Sequence, residues 1–204
     1  AVESPRQSSI RLVVCVALVA SIALLTAGCG SGDGNDGGSD SSKHPPSAAA
    51  HKPDLQDADP RLQKIYDQAN VLLPGGRAAY LKRIESLTGL PVVVNKWGSW
   101  CGPCRKEFPL FQDAAKSYGD RVAFLGVNVN DVRRYAREFL AERPVPYPSY
   151  IDDRLEISKL LPPLQGAPTT GFYDRSGKLV HVKIGEYKNA AALRADIERY
   201  AEPG

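Results

Sequence analysis

The segment Trp97-Gly98-Ser99-Trp100-Cys101-Gly102-Pro103-Cys104 leaves the rest of the chain the fewest options. It follows the apolar run Pro91-Val92-Val93-Val94 and precedes a helix-like stretch, Arg105 to Tyr118. Two cysteines three apart at a strand-to-helix junction read as a redox pair. A helix start carries unpaired backbone N–H groups and a partial positive charge, and both stabilise a thiolate. Cys101, the more exposed first position, is then the attacking sulfur, because the thiolate is the nucleophile of disulfide exchange. Cys104, one turn into the helix on the same side, is close enough to resolve the mixed disulfide. Pro103 suits a first helical turn, where its missing N–H has no partner to lose.

Two plainer readings are weaker. A structural zinc site needs further ligands, and no second Cys pair accompanies this one, while His44, His51 and His181 are scattered. A purely structural disulfide here would close a tiny loop and so stabilise little.

The ends of the chain give context. Across 204 residues the formal charge is +3, with no lysine or arginine block of the kind that tracks nucleic acid. Arg133, Arg134 and Arg137 recur at helical spacing and read as a solvated face. Arg6 and Arg11 flank an apolar run from Leu12 to Leu25, short for the ~20 residues of a membrane span. It ends in Leu25-Thr26-Ala27-Gly28-Cys29, which resembles a bacterial lipobox. Residues 1–29 are therefore expected to be an export signal, with Cys29 the lipidated first residue; an uncleaved N-terminal anchor is the alternative. Cys15 would leave with the signal, so the exported domain keeps only Cys101 and Cys104, and its fold must rest on a hydrophobic core.

Residues 30–56 are Gly-, Ser-, Asp- and then Pro- and Ala-rich, which predicts a disordered tether. Residues 57–204 form the expected domain. Leu62, Ile65, Ala69 and Leu72 suggest one helical face; Ala78, Leu81, Ile84, Glu85 and Leu87 suggest another, ended by Gly89. Pro91–Asn95 and Val122–Asn128 read as strands buried on both faces. Val132–Arg143 is a predicted helix, Tyr147–Ile151 extended and Leu155–Leu161 a short helix. Thr169–Tyr173 and Leu179–Ile184 flank the turn signal Asp174-Arg175-Ser176-Gly177 and predict an antiparallel hairpin, with Ala190–Tyr200 a closing helix. This order predicts a three-layer α/β/α sandwich with the Cys pair at the C-terminal end of a central strand.

With these motifs in order, residues 75–203 resemble the TlpA/ResA-like family of extracytoplasmic, membrane-anchored oxidoreductases with a thioredoxin-like α/β fold and a mixed central sheet. The residues carrying the resemblance are Val93-Val94-Asn95 running into the Cys-Gly-Pro-Cys segment, Arg105-Lys106-Glu107-Phe108-Pro109, Val127-Asn128, and Gly166-Ala167-Pro168-Thr169-Thr170. The resemblance implies Cys101 as attacking thiol and Cys104 as resolving thiol. It implies Pro168 as a cis-proline facing the pair, with backbone around Ala167 pairing with an extended client. Trp100, Gly102 and Pro103 complete the expected client-contacting set. Glu107 matches a glutamate that influences proton transfers in ResA-like members; an acid favoured by the dipole of a first helical turn is the competing reading. Asn95 stands where cytoplasmic thioredoxins carry a buried Asp, which shifts proton acceptance to Glu107 or water. Lys96 replaces an aromatic residue, and either snorkels to solvent or lowers the thiol pKa values. Trp97 is expected to pack, and Pro109 to kink its helix.

The expected activity is thiol-disulfide exchange with client proteins, needing no cofactor beyond the Cys101–Cys104 pair and no metal. Family members often keep apocytochrome c haem-binding cysteines reduced, drawing electrons from a membrane thiol carrier, while related exported branches oxidise their clients. The expected protein is a monomer on the outer face of a bacterial membrane. A Cu(I) metallochaperone is a second class, for which His181 is the only further ligand candidate in the domain. A peroxidase of related fold is disfavoured by the resolving Cys three residues on.

Overall fold

The computed structural model describes residues 47–202. The expected signal segment 1–29, with Cys15 and Cys29, and residues 30–46 of the expected tether lie outside the described residues. The remaining tether residues belong to the folded body: Ala48–His51 form a 3-10 turn, Pro53 is buried and Leu55 packs against the core. Among the described residues no helix is long and apolar enough to cross a membrane.

Among the described residues six strands form one mixed sheet in the order β1-β4-β3-β2-β5-β6. They are β1 (Leu72–Leu73), β2 (Val92–Trp97), β3 (Ala123–Val129), β4 (Ser149–Asp152), β5 (Thr169–Tyr173) and β6 (Leu179–Ile184). The first four run parallel, β5 is antiparallel to β2, and β6 is antiparallel to β5. Every residue of β2 and β3 is buried, as their unbroken apolar runs require. Helices α3 (Gly102–Tyr118), α4 (Arg133–Glu142) and α5 (Ala190–Asp196) cover one face. There Trp97 meets the rings of Phe108 and Phe139 at 5.3 and 5.0 Å. Helix α2 (Gly76–Ser86) covers the other face, where the Tyr80 hydroxyl bonds that of Tyr173 at 2.8 Å. The expected three-layer α/β/α sandwich is thus the observed one, hairpin included.

Four local expectations are corrected. Helix α1 (Pro60–Tyr66) buries Leu62 and Ile65 but stops before Ala69, and Leu72 lies in β1 rather than on a helix face. Asn70 turns the chain with a left-handed φ of 63°, a conformation Asn tolerates, and its side chain bonds Leu140 O and the Val145 N–H. On α2 the buried positions are Tyr80 and Ile84, followed by Leu87 at the cap, whereas Ala78, Leu81 and Glu85 are exposed. The hydroxyl–hydroxyl bond of Tyr80 sets that rotation. Leu155–Leu161 holds only a 3-10 turn, Ser158–Leu160. Here the Asp152 carboxylate takes the N–H groups of Ile157 and Ser158 that a helix would otherwise use. Finally, α5 ends at Asp196 and passes into a π-helical turn, Ile197–Ala201.

Two other features stand as expected. Gly89 ends the α2 region at φ 98°, and Arg133, Arg134 and Arg137 form a solvated face on α4. Pro109 lies inside α3, which runs through it to Tyr118.

Candidate active site

Strand β2 delivers the chain to the helix through Gly98-Ser99-Trp100. A Cβ at Gly98 would lie 2.5 Å from the Trp100 indole nitrogen, so only glycine leaves room for that ring. Trp100 is 58% exposed, with its indole N–H donating to Asn130 O at 3.1 Å, whereas Trp97 is fully buried. Ser99 is clamped by Asp131, which accepts from both its N–H and its hydroxyl at 2.6 Å. Asn128 donates to the same carboxylate at 2.8 Å. Arg105 braces the loop from the other side, donating to Ser99 O while its guanidinium lies 4.8 Å from the Phe139 ring centre. Sequence reasoning missed Asp131 and Arg105. The signal for Asp131 was its place just beyond β3, on the same end of the sheet as the Cys pair.

Cys101 caps α3, and its sulfur accepts the Cys104 N–H at 3.2 Å. The two cysteines are joined as a disulfide. The expected exposure difference is small, 3% against 0%, so what separates the two sulfurs is the cap position of Cys101. Gly102 and Pro103 form the first turn of α3 and are exposed beside the pair.

Glu107 is not in that first turn. It is the sixth residue of α3, on the same side as Cys104 three positions earlier, and fully buried. One carboxylate oxygen accepts from Asn95 Nδ2 at 2.7 Å and the other from the Tyr187 N–H at 3.0 Å. Burial pushes its pKa up to about 7, against the pull of those two hydrogen bonds and of the Lys183 charge. The register partners Asn95 and Thr170 each bury a side-chain oxygen without a hydrogen-bond partner among the described residues.

Lys96 points to the opposite face. It is fully buried and does not snorkel: Nζ donates to Leu161 O at 2.7 Å and Pro163 O at 2.6 Å. Burial lowers its pKa to about 8, with the Asp152 charge acting in the other direction.

The Ala167–Pro168 peptide is cis. Pro168 precedes β5, whose first residue, Thr169, pairs with Lys96, so it stands at the same end of the sheet as the Cys pair. Pro168 O accepts from the Gly185 N–H at 3.0 Å. Among the described residues neither the N–H nor the C=O of Ala167 has a backbone partner. Trp100, Leu155, Gln165 and Gly166 line a cavity of about 160 Å³ at this end.

His181 pairs with Phe172, three residues along β5 from Thr169, and stacks on Tyr200 at 3.9 Å. No group of three or more His, Cys, Asp or Glu side chains is placed to hold a metal among the described residues.

A mixed sheet whose central strand leads to a helix capped by one half of a Cys-Gly-Pro-Cys disulfide, with a cis-proline at the same end, defines a thioredoxin-fold protein with a dithiol–disulfide centre. Known proteins agree. Residues 81–198 match the Redoxin family, and the chain belongs to that family, among its TlpA/ResA-like members. The thiol-disulfide oxidoreductase ResA of Bacillus subtilis (strain 168) is 34% identical over 113 residues, which are 51% of this chain and 59% of that protein. The chain thus spans less than two thirds of that relative's length. A thiol:disulfide interchange protein DsbE from Chlorobium tepidum is 29% identical with a TM-score of 0.52, covering 57% of this chain and 83% of its own. DsbF of Mycobacterium tuberculosis, solved in mixed oxidised and reduced forms, is 26% identical with a TM-score of 0.51, covering 56% and 84%.

Proposed function

We propose that this protein is an extracytoplasmic thiol-disulfide oxidoreductase that reduces client protein disulfides through Cys101 and Cys104. The observation that carries the reading is the Cys101–Cys104 disulfide at the cap of α3. In the reduced enzyme the Cys101 thiolate, favoured by the helix start, attacks one sulfur of a client disulfide. That S–S bond breaks, its electron pair leaves on the second client sulfur, and a mixed disulfide forms. Cys104 then gives its proton to the Glu107 carboxylate and attacks the Cys101 sulfur, breaking the mixed disulfide and releasing the first client sulfur as a thiolate; both client thiolates take up protons. The client gains two electrons and the pair loses two. A membrane thiol carrier returns them by the reverse exchange.

Glu107 fits this role because a buried carboxyl titrating near pH 7 holds or yields a proton in the physiological range. The free backbone groups of Ala167 suit it to pair with an extended client beside Pro168, and Trp100 walls the same approach. Gly102-Pro103 matches the thioredoxin dipeptide and favours the reductive direction, with apocytochrome c cysteines as clients. Lipid on Cys29 would hold a monomeric enzyme at the membrane.

The reduction potential of the pair tests the direction. A value near the thioredoxin figure of about −270 mV is expected. A value near the DsbA figure of about −120 mV would make the protein an oxidant of secreted thiols. A pair that does not cycle would sink the enzyme reading.

A further inference from the structure

Lys96 is the only charged residue of β2, a strand otherwise built of Val, Asn and Trp. A buried ammonium is costly, and an apolar side chain would pack on that face at lower cost, as Val92 and Val94 do. What an apolar side chain cannot do is bond two carbonyls of an irregular loop.

The loop in question is 153–166. Register aligns Lys96 with Val127 and Tyr150, and Asp152, two residues beyond Tyr150, falls on the same face. Lys96 Nζ holds the late arm through Leu161 O and Pro163 O. Asp152, also buried, holds the early arm through the Ile157 N–H (3.0 Å), the Ser158 N–H (2.8 Å) and the Ser158 hydroxyl (2.7 Å). Two buried opposite charges therefore grip both arms of a loop whose own regular structure is a three-residue turn.

The outer edge of that loop meets Trp100, the residue that directly precedes Cys101. Leu155, Gln165 and Gly166 form the wall opposite Trp100 in the cavity of about 160 Å³. Cys101, next in the chain to Trp100, is only 3% exposed, so a client must fit closely beside it to reach its sulfur. A small disulfide can enter a loosened cleft as readily as an ordered one. A polypeptide must be gripped along its length, and loses much when one wall moves by an ångström.

We propose that Lys96, together with Asp152, is a positioning residue that sets the 153–166 wall against Trp100. The pair thereby favours protein disulfides over small ones without touching the reacting sulfurs. The proposal rests on the exchange activity proposed above.

The test uses the full chain, reduced with dithiothreitol and freed of it. Its rates with insulin disulfides and with the small disulfide DTNB are compared, alongside the potential of the pair. Lys96→Met is expected to slow the insulin reaction on the order of tenfold while leaving the DTNB rate within about twofold and the potential unchanged. Asp152→Asn should act in the same direction, and the double variant should be no slower than the worse single one, as residues holding one loop are non-additive. Should Lys96→Met fail to fold, Asp152→Asn alone carries the comparison. Equal losses with both disulfides would overturn the proposal by placing the effect on the thiols. Unchanged rates with both would overturn it by leaving the pair a packing feature. A wild-type protein inert toward both disulfides would instead sink the exchange activity itself, and this proposal with it.

Discussion

The C-terminal end of β2 has a buried ionisable group against each face, Glu107 from α3 on one and its own Lys96 on the other, and the two are opposites. On the α3 face Glu107 is held by two neutral donors, the Asn95 amide and the Tyr187 N–H. On the α2 face Lys96 is held by two neutral acceptors, the carbonyls of Leu161 and Pro163. Burial is the main cause of both pKa shifts and drives each group toward its neutral form, Glu107 up to about 7 and Lys96 down to about 8. The consequences at neutral pH differ. Glu107 is poised to exchange a proton, whereas Lys96 is still mostly charged and serves as a fixed donor to a loop. Equal burial thus yields a proton-transfer site on one face and a scaffold on the other, according to where each value falls relative to physiological pH.

The largest effect is expected from Glu107→Gln, which removes the titrating group from the α3 face. Between pH 4.5 and 7 the unfolded chain has released this proton and the folded chain has not, so wild-type stability falls as pH rises through that window. The loss is at most about 3 kcal/mol. The glutamine variant keeps the site neutral, so it should be more stable than wild type at pH 8 by up to that amount and equal to it at low pH. Its thiol reactivity should also lose the inflection near pH 7. Parallel stability curves from pH 4 to 8 would show that the carboxyl is not held as described.

Lys96 gives the mirror image. Between pH 8 and 10.5 the folded chain has released the Lys96 proton while the unfolded chain retains it, so wild-type stability rises with pH there. Relative to Lys96→Met, wild type should gain about 2 kcal/mol across that window, a figure reduced because the contact with Pro163 is only part-buried. Urea melts at pH 7.5 and 10.5 would measure it, and a constant difference between the two proteins would refute it.

The smallest stability effect is expected at Trp100, whose ring is 58% exposed. Trp100→Ala should change stability by no more than about 0.5 kcal/mol yet slow the reaction with insulin disulfides. A large drop in melting temperature would mean that the ring is a structural prop and not a wall of the cleft.

The elements readable from sequence were those whose signal is local. The apolar runs of β2 and β3, the turn residues between β5 and β6, and the cysteine spacing each sit within a few consecutive residues. The elements misread depend on partners distant along the chain or on side-chain bonds to the backbone. Leu72 pairs with Ser149 in the sheet, and Tyr80 turns α2 inward to meet Tyr173. Asp152 replaces a helical turn by bonding Ile157 and Ser158 through its side chain, which periodicity cannot register. Asp131 was missed for the same reason, since its partner Ser99 lies 32 residues away.

The fold class, the reacting pair and the family are legible without coordinates, because alternation, turn chemistry and the Cys-Gly-Pro-Cys spacing are properties of contiguous residues. The sequence also marks Glu107 and Lys96 as unusual without saying what either does. Packing assigns those roles, by burying the two groups against opposite faces of one strand and supplying Asn95 and Tyr187 to the first, Leu161 and Pro163 to the second. A charge's behaviour depends on desolvation and on hydrogen-bond partners, and both exist only once distant segments have been packed around it.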